Sequence, residues 1–517
     1  MKRFKISRFI QKRDVKDYLV SMLTGIGVGL FCVFFRFVID YLTTLRLGFL
    51  TNSWPLFIRI PVYMLAAYLI LLGIYQIIQR FPIVAGNGAE QTKGMLNGHI
   101  YRKNPLLRLM FKFVGSVGSL GSGMALGHEG PSIQFGGYLG VFTSRLCRVT
   151  PGREEYIISA GASAGVAAAL NAPLAGPVYI IESLQKLNNY RMAICALIAG
   201  LTGGLIAAVL MPENPYLQIP VVKPAVSDFK LLLIFNLMGF YMAFIGALFT
   251  ILVKFIRQRF NKGKKSATRR LFLLVIGMGL IGIYFPRLLG SGQPFMIQEA
   301  IHGTESVHML LFLTIVSFLF TAYSQGTSFP GGAFLPLLTL GGLGGRLFGA
   351  LLVAGGFCTV DSLSYFMFLG MSASFVVIMR TPLTGFLLVT EMTGHYEVLL
   401  PSLAVGIVGY FLISTLRMQS LPDDLYNMLL KRIHSEEDKT LTIYIEVMPD
   451  SYFEGKSEQT INLPSGCKVQ HILRNKAQMP FSALRSLQAG DQIEFAIDNA
   501  EVEQVYQALV SLSSDPR

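Results

Sequence analysis

Between about residue 18 and residue 416 the chain runs as apolar stretches divided by short polar breaks. An α-helix needs about 20 apolar residues to cross the hydrocarbon of a bilayer. Stretches of that order lie at 18–47, 56–79, 105–124, 130–147, 191–211, 227–260, 270–289, 308–323, 333–352 and 397–416, and each predicts a helix. Two longer stretches are broken at proline, 153–184 at Asn171-Ala172-Pro173 and 363–393 at Pro382. Residues 89–96 form a partly polar segment too short to span. Irregular backbone inside a bilayer survives only where protein covers it or where it lines a wet cavity. Repeated breaks therefore point to an ion or solute path. Beyond about residue 434 the pattern becomes polar and alternating. Leu441–Val447 and Gln492–Ile497 read as strands, Val469–Leu473 and Glu501–Leu512 as short helices, in an order close to β-β-α-β-β-α.

The breaks recur. Phe81-Pro82 and Gly86-Asn87-Gly88 return 204 residues later as Phe285-Pro286 and Gly290-Ser291-Gly292. Gly121, Pro131, Gly136 and Gly137 return after 205 residues as Gly326, Pro336, Gly341 and Gly342. Pro173-Leu174, Gly176 and Glu182 return after 209 as Pro382-Leu383, Gly385 and Glu391. Paired interrupted segments in two halves place a substrate site at the repeat interface, near the midplane. The register sets Glu129, in Gly121–Pro131 (GSGMALGHEGP), opposite Phe334 in Gly331–Pro336 (GGAFLP). Two glycine-rich turns, each opening a helix, offer N–H groups and dipole ends to an anion. Glu129 is the only acid in either turn. By these residues alone it is either an acid at the headgroups or a gate that enters the anion site when ionised and leaves it when protonated.

Composition agrees with a membrane protein: 52% of the 517 residues are hydrophobic and 14% charged, against about 25% charged in soluble domains. The net charge of +14 matters through its location. Lys2, Arg3, Lys5, Arg8, Lys12, Arg13 and Lys16 precede the first span, and KFIRQRFNKGKKSATRR fills 254–270. Both clusters flank apolar spans, so they read as cytoplasmic by the positive-inside rule and not as nucleic-acid sites. The first span is too long for a signal peptide and has no A-x-A site, so it is expected to be retained. Five cysteines and seven histidines show no metal spacing. No Ser/His/Asp or H-E-x-x-H arrangement stands out, so neither an enzyme nor a cofactor is expected.

GHEGP at 127–131, NAPLAG at 171–176, GAFLP at 332–336, RTPLTGFLLVTEMT at 380–393 and DDLYNMLLKR at 423–432 resemble segments of the CLC family of chloride channels and proton-coupled chloride transporters. The resemblance covers about 15–434. It implies an all-α polytopic fold with inverted repeats and broken, re-entrant helices. It further implies a homodimer in the cell membrane with one chloride path per subunit. Glu129 would be the external gate, flanked by Gly127, His128 and Gly130. Backbone N–H groups of Ala333 and Phe334 would hold the anion, with the Tyr426 hydroxyl and residue 87 as further donors.

Two departures qualify this. Asn87 stands where the family's G-S-G-I-P has serine, and Glu90 where it has proline. An amide still donates, but preference among chloride, nitrate and fluoride is left open. Glu90 reads as a solvated acid at a helix start. Where many transporters of the family carry two consecutive glutamates, this chain has Glu182-Ser183. Ser183, at the proton-transfer position, cannot store a proton. The expectation is a chloride channel gated by Glu129, with a chloride/proton antiporter as the alternative. The chain divides into a transmembrane domain, 1–435, and a small α+β cytoplasmic domain, 436–517. The latter resembles the RCK_C (TrkA-C) module of potassium-transport regulators, which implies a paired cytoplasmic domain, either a regulatory one that binds cyclic di-AMP or an assembly domain without a ligand. Both termini are expected in the cytoplasm of a bacterium.

Overall fold

A computed structural model describes residues 12–97, 99–100, 104–150, 153–185, 190–211, 220–260, 264–292, 306–433, 440–447, 451–474 and 477–498, with the helical positions 505, 508, 509 and 512. The first half contains α1 (Lys12–Leu50), α2 (Leu56–Arg80), α3 (Ala89–Leu96), α4 (Pro105–Ser122), α5 (Glu129–Leu146), α6 (Glu154–Leu170), α7 (Ala175–Tyr179, continued by a π turn at Ile180–Gln185) and α8 (Tyr190–Leu210). The second contains α9 (Asp228–Phe260), α10 (Lys264–Tyr284), α11 (Val307–Gly326), α12 (Phe334–Ala354), α13 (Leu363–Met379), α14 (Pro382–Thr393), α15 (Leu399–Thr415) and α16 (Leu421–Ile433). Among the described residues, nine helices are long and apolar enough to cross a membrane. The interior helices α12 and α13 bury most of their length, while α1, α2, α8 and α9 leave large apolar side chains outward, as lipid-facing helices do.

The breaks fall where the repeat placed them. Asn171 ends α6 at φ 52° and Arg380 ends α13 at φ 60°, both left-handed caps ahead of a proline. Gly86 and Gly290 take φ 77° and 85° after matching 3-10 turns at Pro82–Val84 and Pro286–Leu288. The helix pairs behind these turns pack backbone to backbone. A Cβ on Gly161 would lie 2.1 Å from the Gly136 carbonyl oxygen, and one on Gly370 would lie 2.2 Å from that of Gly341. Gly161→Ala is expected to lower stability by about 1–3 kcal/mol through overpacking. Gly27→Ala, where nothing lies within 4 Å, is the expected neutral control. Thermal unfolding of the two variants in detergent checks both.

The tail holds a four-stranded antiparallel sheet in the order β1 (Thr440–Glu446), β4 (Gln492–Asp498), β2 (Cys467–Arg474), β3 (Ala477–Met479). Val469–Leu473, expected as a helix, lies inside β2. Pairing along the central strand β4, with a bulge between Val469 and His471, overrides the local pattern and turns Ile472 into the core. Arg474 binds Asp491 through Nε at 2.8 Å and Nη2 at 2.6 Å. The expected helix 501–512 lies largely outside the described residues. Its helical positions Val505 and Leu509 join Ile445, Phe453, Phe495 and Ile497 in the core.

Candidate functional site

The site grows from the two glycine turns. Gly127 and Gly332 pair across the repeats: the Gly127 N–H donates to the Gly332 carbonyl at 2.8 Å and the Gly332 N–H to the Gly127 carbonyl at 2.6 Å. This bridge sets the N-termini of α5 and α12 side by side. Glu129, the first residue of α5, is fully buried, and its Oε1 accepts the Leu335 N–H at 3.2 Å, with the Phe334 N–H facing the same carboxylate. The side chain thus lies across the N-terminus of α12, where N–H groups carry partial positive charge. A Cβ at Gly332 would stand 2.5 Å from Oε1, so the seat requires glycine. Ala333 and Phe334 are both fully buried at the start of α12.

Asn87 closes the site from a third helix. It follows Gly86, whose N–H donates to the Ser328 carbonyl at 2.8 Å, and precedes α3. A side chain on Gly130 would collide with the Asn87 amide at 2.0 Å, so Asn87, Gly130, Gly332 and Glu129 meet at one point. His128 turns away, its Nε2 lying 2.9 Å from the Ala169 carbonyl, which ties the turn to α6.

Tyr426, on α16, is buried, but its hydroxyl is engaged from the C-terminal end of α3. Asn97 Nδ2 donates to it at 3.2 Å and His99 Nδ1 is hydrogen-bonded to it. Lys93 lies 4.9 Å over its ring and binds Asp423 at 2.6 Å. Neither Asn97, His99 nor Lys93 was legible as a partner of Tyr426. They stand some 330 positions away along the chain.

One expectation about acids needs correction. Glu90 is not solvated. It is buried, accepts the Gly88 N–H at 3.1 Å, and lies 3.9 Å from the buried Arg257 of the basic cluster. Lys112, within an apolar span, supports the same turn by donating to the Val84 and Gly86 carbonyls at 3.0 and 2.7 Å. A lysine well inside a span was the signal available in the sequence. Glu182, the other proton-path position, is held at a helix end. Its carboxylate caps α14, accepting the Leu383 N–H at 3.0 Å, the Thr384 N–H at 2.9 Å and the Thr384 hydroxyl at 2.8 Å. Glu391 caps α7 in return, from Leu174 at 2.9 Å and Ala175 at 2.7 Å. Ser183 is buried in the π turn.

A crossed pair of repeats with two opposed helix N-termini has a counterpart among known proteins. A sequence profile described as voltage-gated chloride channel matches residues 67–414. The chain belongs to that family. A chloride/proton exchange transporter, ClcA, of Vibrio cholerae is 30% identical over 445 residues, which are 82% of this chain and 92% of that protein. The ClcA exchange transporter of Citrobacter koseri is 30% identical over 456 residues, 84% of this chain and 92% of that protein. Among solved structures, a slow cyanobacterial chloride/proton antiporter superposes with a TM-score of 0.72 at 24% identity, covering 82% of this chain and 99% of that one. A CLC-type fluoride/proton antiporter superposes at 0.61 and 18% identity, covering 80% of this chain and 96% of that one. These likenesses establish the CLC fold for the helical part. The names of the two sequence relatives are those of exchangers, which speaks against the passive channel expected from Ser183. The profile stops short of the tail, whose small sheet stands without support for the RCK_C resemblance.

Proposed function

We propose that this protein exchanges chloride for protons across the membrane, with one path in each subunit of a homodimer and Glu129 as the gate of each path. The observation that carries this reading is the position of the Glu129 carboxylate, hydrogen-bonded by the Leu335 N–H where an anion would rest. Ionised, it competes with chloride for the N-terminus of α12. Protonated, it no longer matches a group of N–H donors and yields the seat. One side chain thereby answers to both ions, which is what exchange requires. The exchanger names of the Vibrio and Citrobacter relatives support the same reading. It replaces the passive channel as the preferred function, and it requires that protons reach Glu129 past Ser183 without a second acid there.

The test uses the purified protein in liposomes with a chloride gradient and a pH electrode outside. Chloride-driven proton uptake that collapses with a protonophore is the expected result. Chloride efflux with valinomycin and potassium but no coupled proton movement would return the protein to the channel reading. On the exchanger reading, the Ala333 and Phe334 N–H groups and the Asn87 amide hold the central anion. Asn87→Ala is then expected to weaken chloride binding by about 1.5–3 kcal/mol, the range for a hydrogen bond to a charged group. Calorimetric titration of chloride checks it.

A further inference from the structure

Tyr179, the last residue of α7, has no task in this scheme. It is fully buried, and its enclosed hydroxyl oxygen faces the Ser183 hydroxyl without a well-formed hydrogen bond. Such a group costs about 1–3 kcal/mol, and native proteins retain one where water or function offsets the cost. A phenylalanine would serve the packing as well. The ring meets Phe334 edge-on, with centroids 4.8 Å apart, so it stands beside the start of α12 where the Glu129 carboxylate rests. The Ser183 hydroxyl, four residues on, faces the Tyr179 hydroxyl. Between the two the helix widens into the π turn Ile180–Gln185, a distortion frequent at functional sites.

We propose that the Tyr179 hydroxyl, with that of Ser183, orders the water through which protons pass between the Ser183 side and Glu129. This rests on the exchanger reading and names the residue that stands in for the missing acid. A water held by Ser183 that has taken up a proton from the solvent side passes one to the phenol oxygen as the phenol gives its own to a water on the Glu129 side, which hands it to the Glu129 carboxylate. One proton advances, no charge stays on the ring, and no other reactant is consumed. A phenol and an alcohol both donate and accept, so each can sit within such a chain while neutral. The ring packs against Phe334, next to Leu335 whose N–H holds the Glu129 carboxylate, so Glu129 is the acid proposed to receive the relayed proton.

The experiment compares wild type with Tyr179→Phe in liposomes, reading proton and chloride flux from the same vesicles. The expected result is proton flux lower by about five- to tenfold, on the order of one lost hydrogen bond, with chloride flux within about twofold. The proton-to-chloride ratio therefore falls. A merely structural residue would depress both fluxes together, and that outcome overturns the assignment. An unchanged ratio in Tyr179→Phe, with wild type coupled, also overturns it and leaves the exchanger reading standing. A wild type that moves chloride without protons overturns both.

Discussion

Glu129→Ala is expected to abolish chloride-driven proton uptake while chloride flux persists and loses its dependence on pH. The carboxylate is the acid that reaches the N-terminus of α12, through Leu335. Without it the seat holds only uncharged donors, which bind chloride equally well at any pH where the fold survives. Glu129→Gln is expected to match the protonated state, with proton uptake lost and chloride flux fixed at one level. Flux measured in liposomes from acid to neutral pH checks both variants. Chloride flux that keeps the wild-type pH profile in either variant would place the gate elsewhere.

Arg153→Met is expected to be the most destabilising single change, by about 3–5 kcal/mol, because it removes a cation bonded to two buried carboxylates. Arg153 Nη1 binds Asp14 at 3.1 Å and Asp17 at 2.8 Å, and all three side chains are nearly inaccessible. Arg191 reaches Asp14 only at 3.6 Å. The cluster joins the start of α1 to the start of α6. Replacing the arginine and both aspartates together by apolar residues of similar volume is expected to recover most of the loss, since the desolvation cost goes with the charges. Thermal unfolding of the single and triple variants in detergent measures the difference. A single variant as stable as wild type would mean that Arg153 contributes no net stabilisation there.

Much of the helical architecture was legible because apolar length is itself the constraint in a bilayer. The segments at 89–96 and 421–433 show the limit, since neither is a span: the first showed only as a short, partly polar stretch and the second only through the motif at 423–432. The repeat was legible from proline and glycine alone, because a backbone break restricts which residues can occupy it. The fate of Glu182 was not legible. A carboxylate beside a candidate proton position looks the same in sequence whether it carries protons or caps a helix 201 residues away. Tyr179 was not singled out by any sequence pattern, and the enclosure of its oxygen is what distinguishes it.

By itself, then, the sequence determined that the chain is a membrane protein of two related halves with Glu129 at their meeting point. Hydropathy and backbone breaks are local properties that neighbouring residues cannot disguise. Only the tertiary structure decided which groups meet: Gly127 with Gly332, Glu182 with the start of α14, the Tyr426 hydroxyl with His99, and the Glu129 carboxylate with the Leu335 N–H. It also decided that Val469–Leu473 is a strand, because β4 was there to pair with it. Each of these rests on partners far apart in the chain. Their geometry follows from how whole helices and strands pack, and no local pattern carries that information.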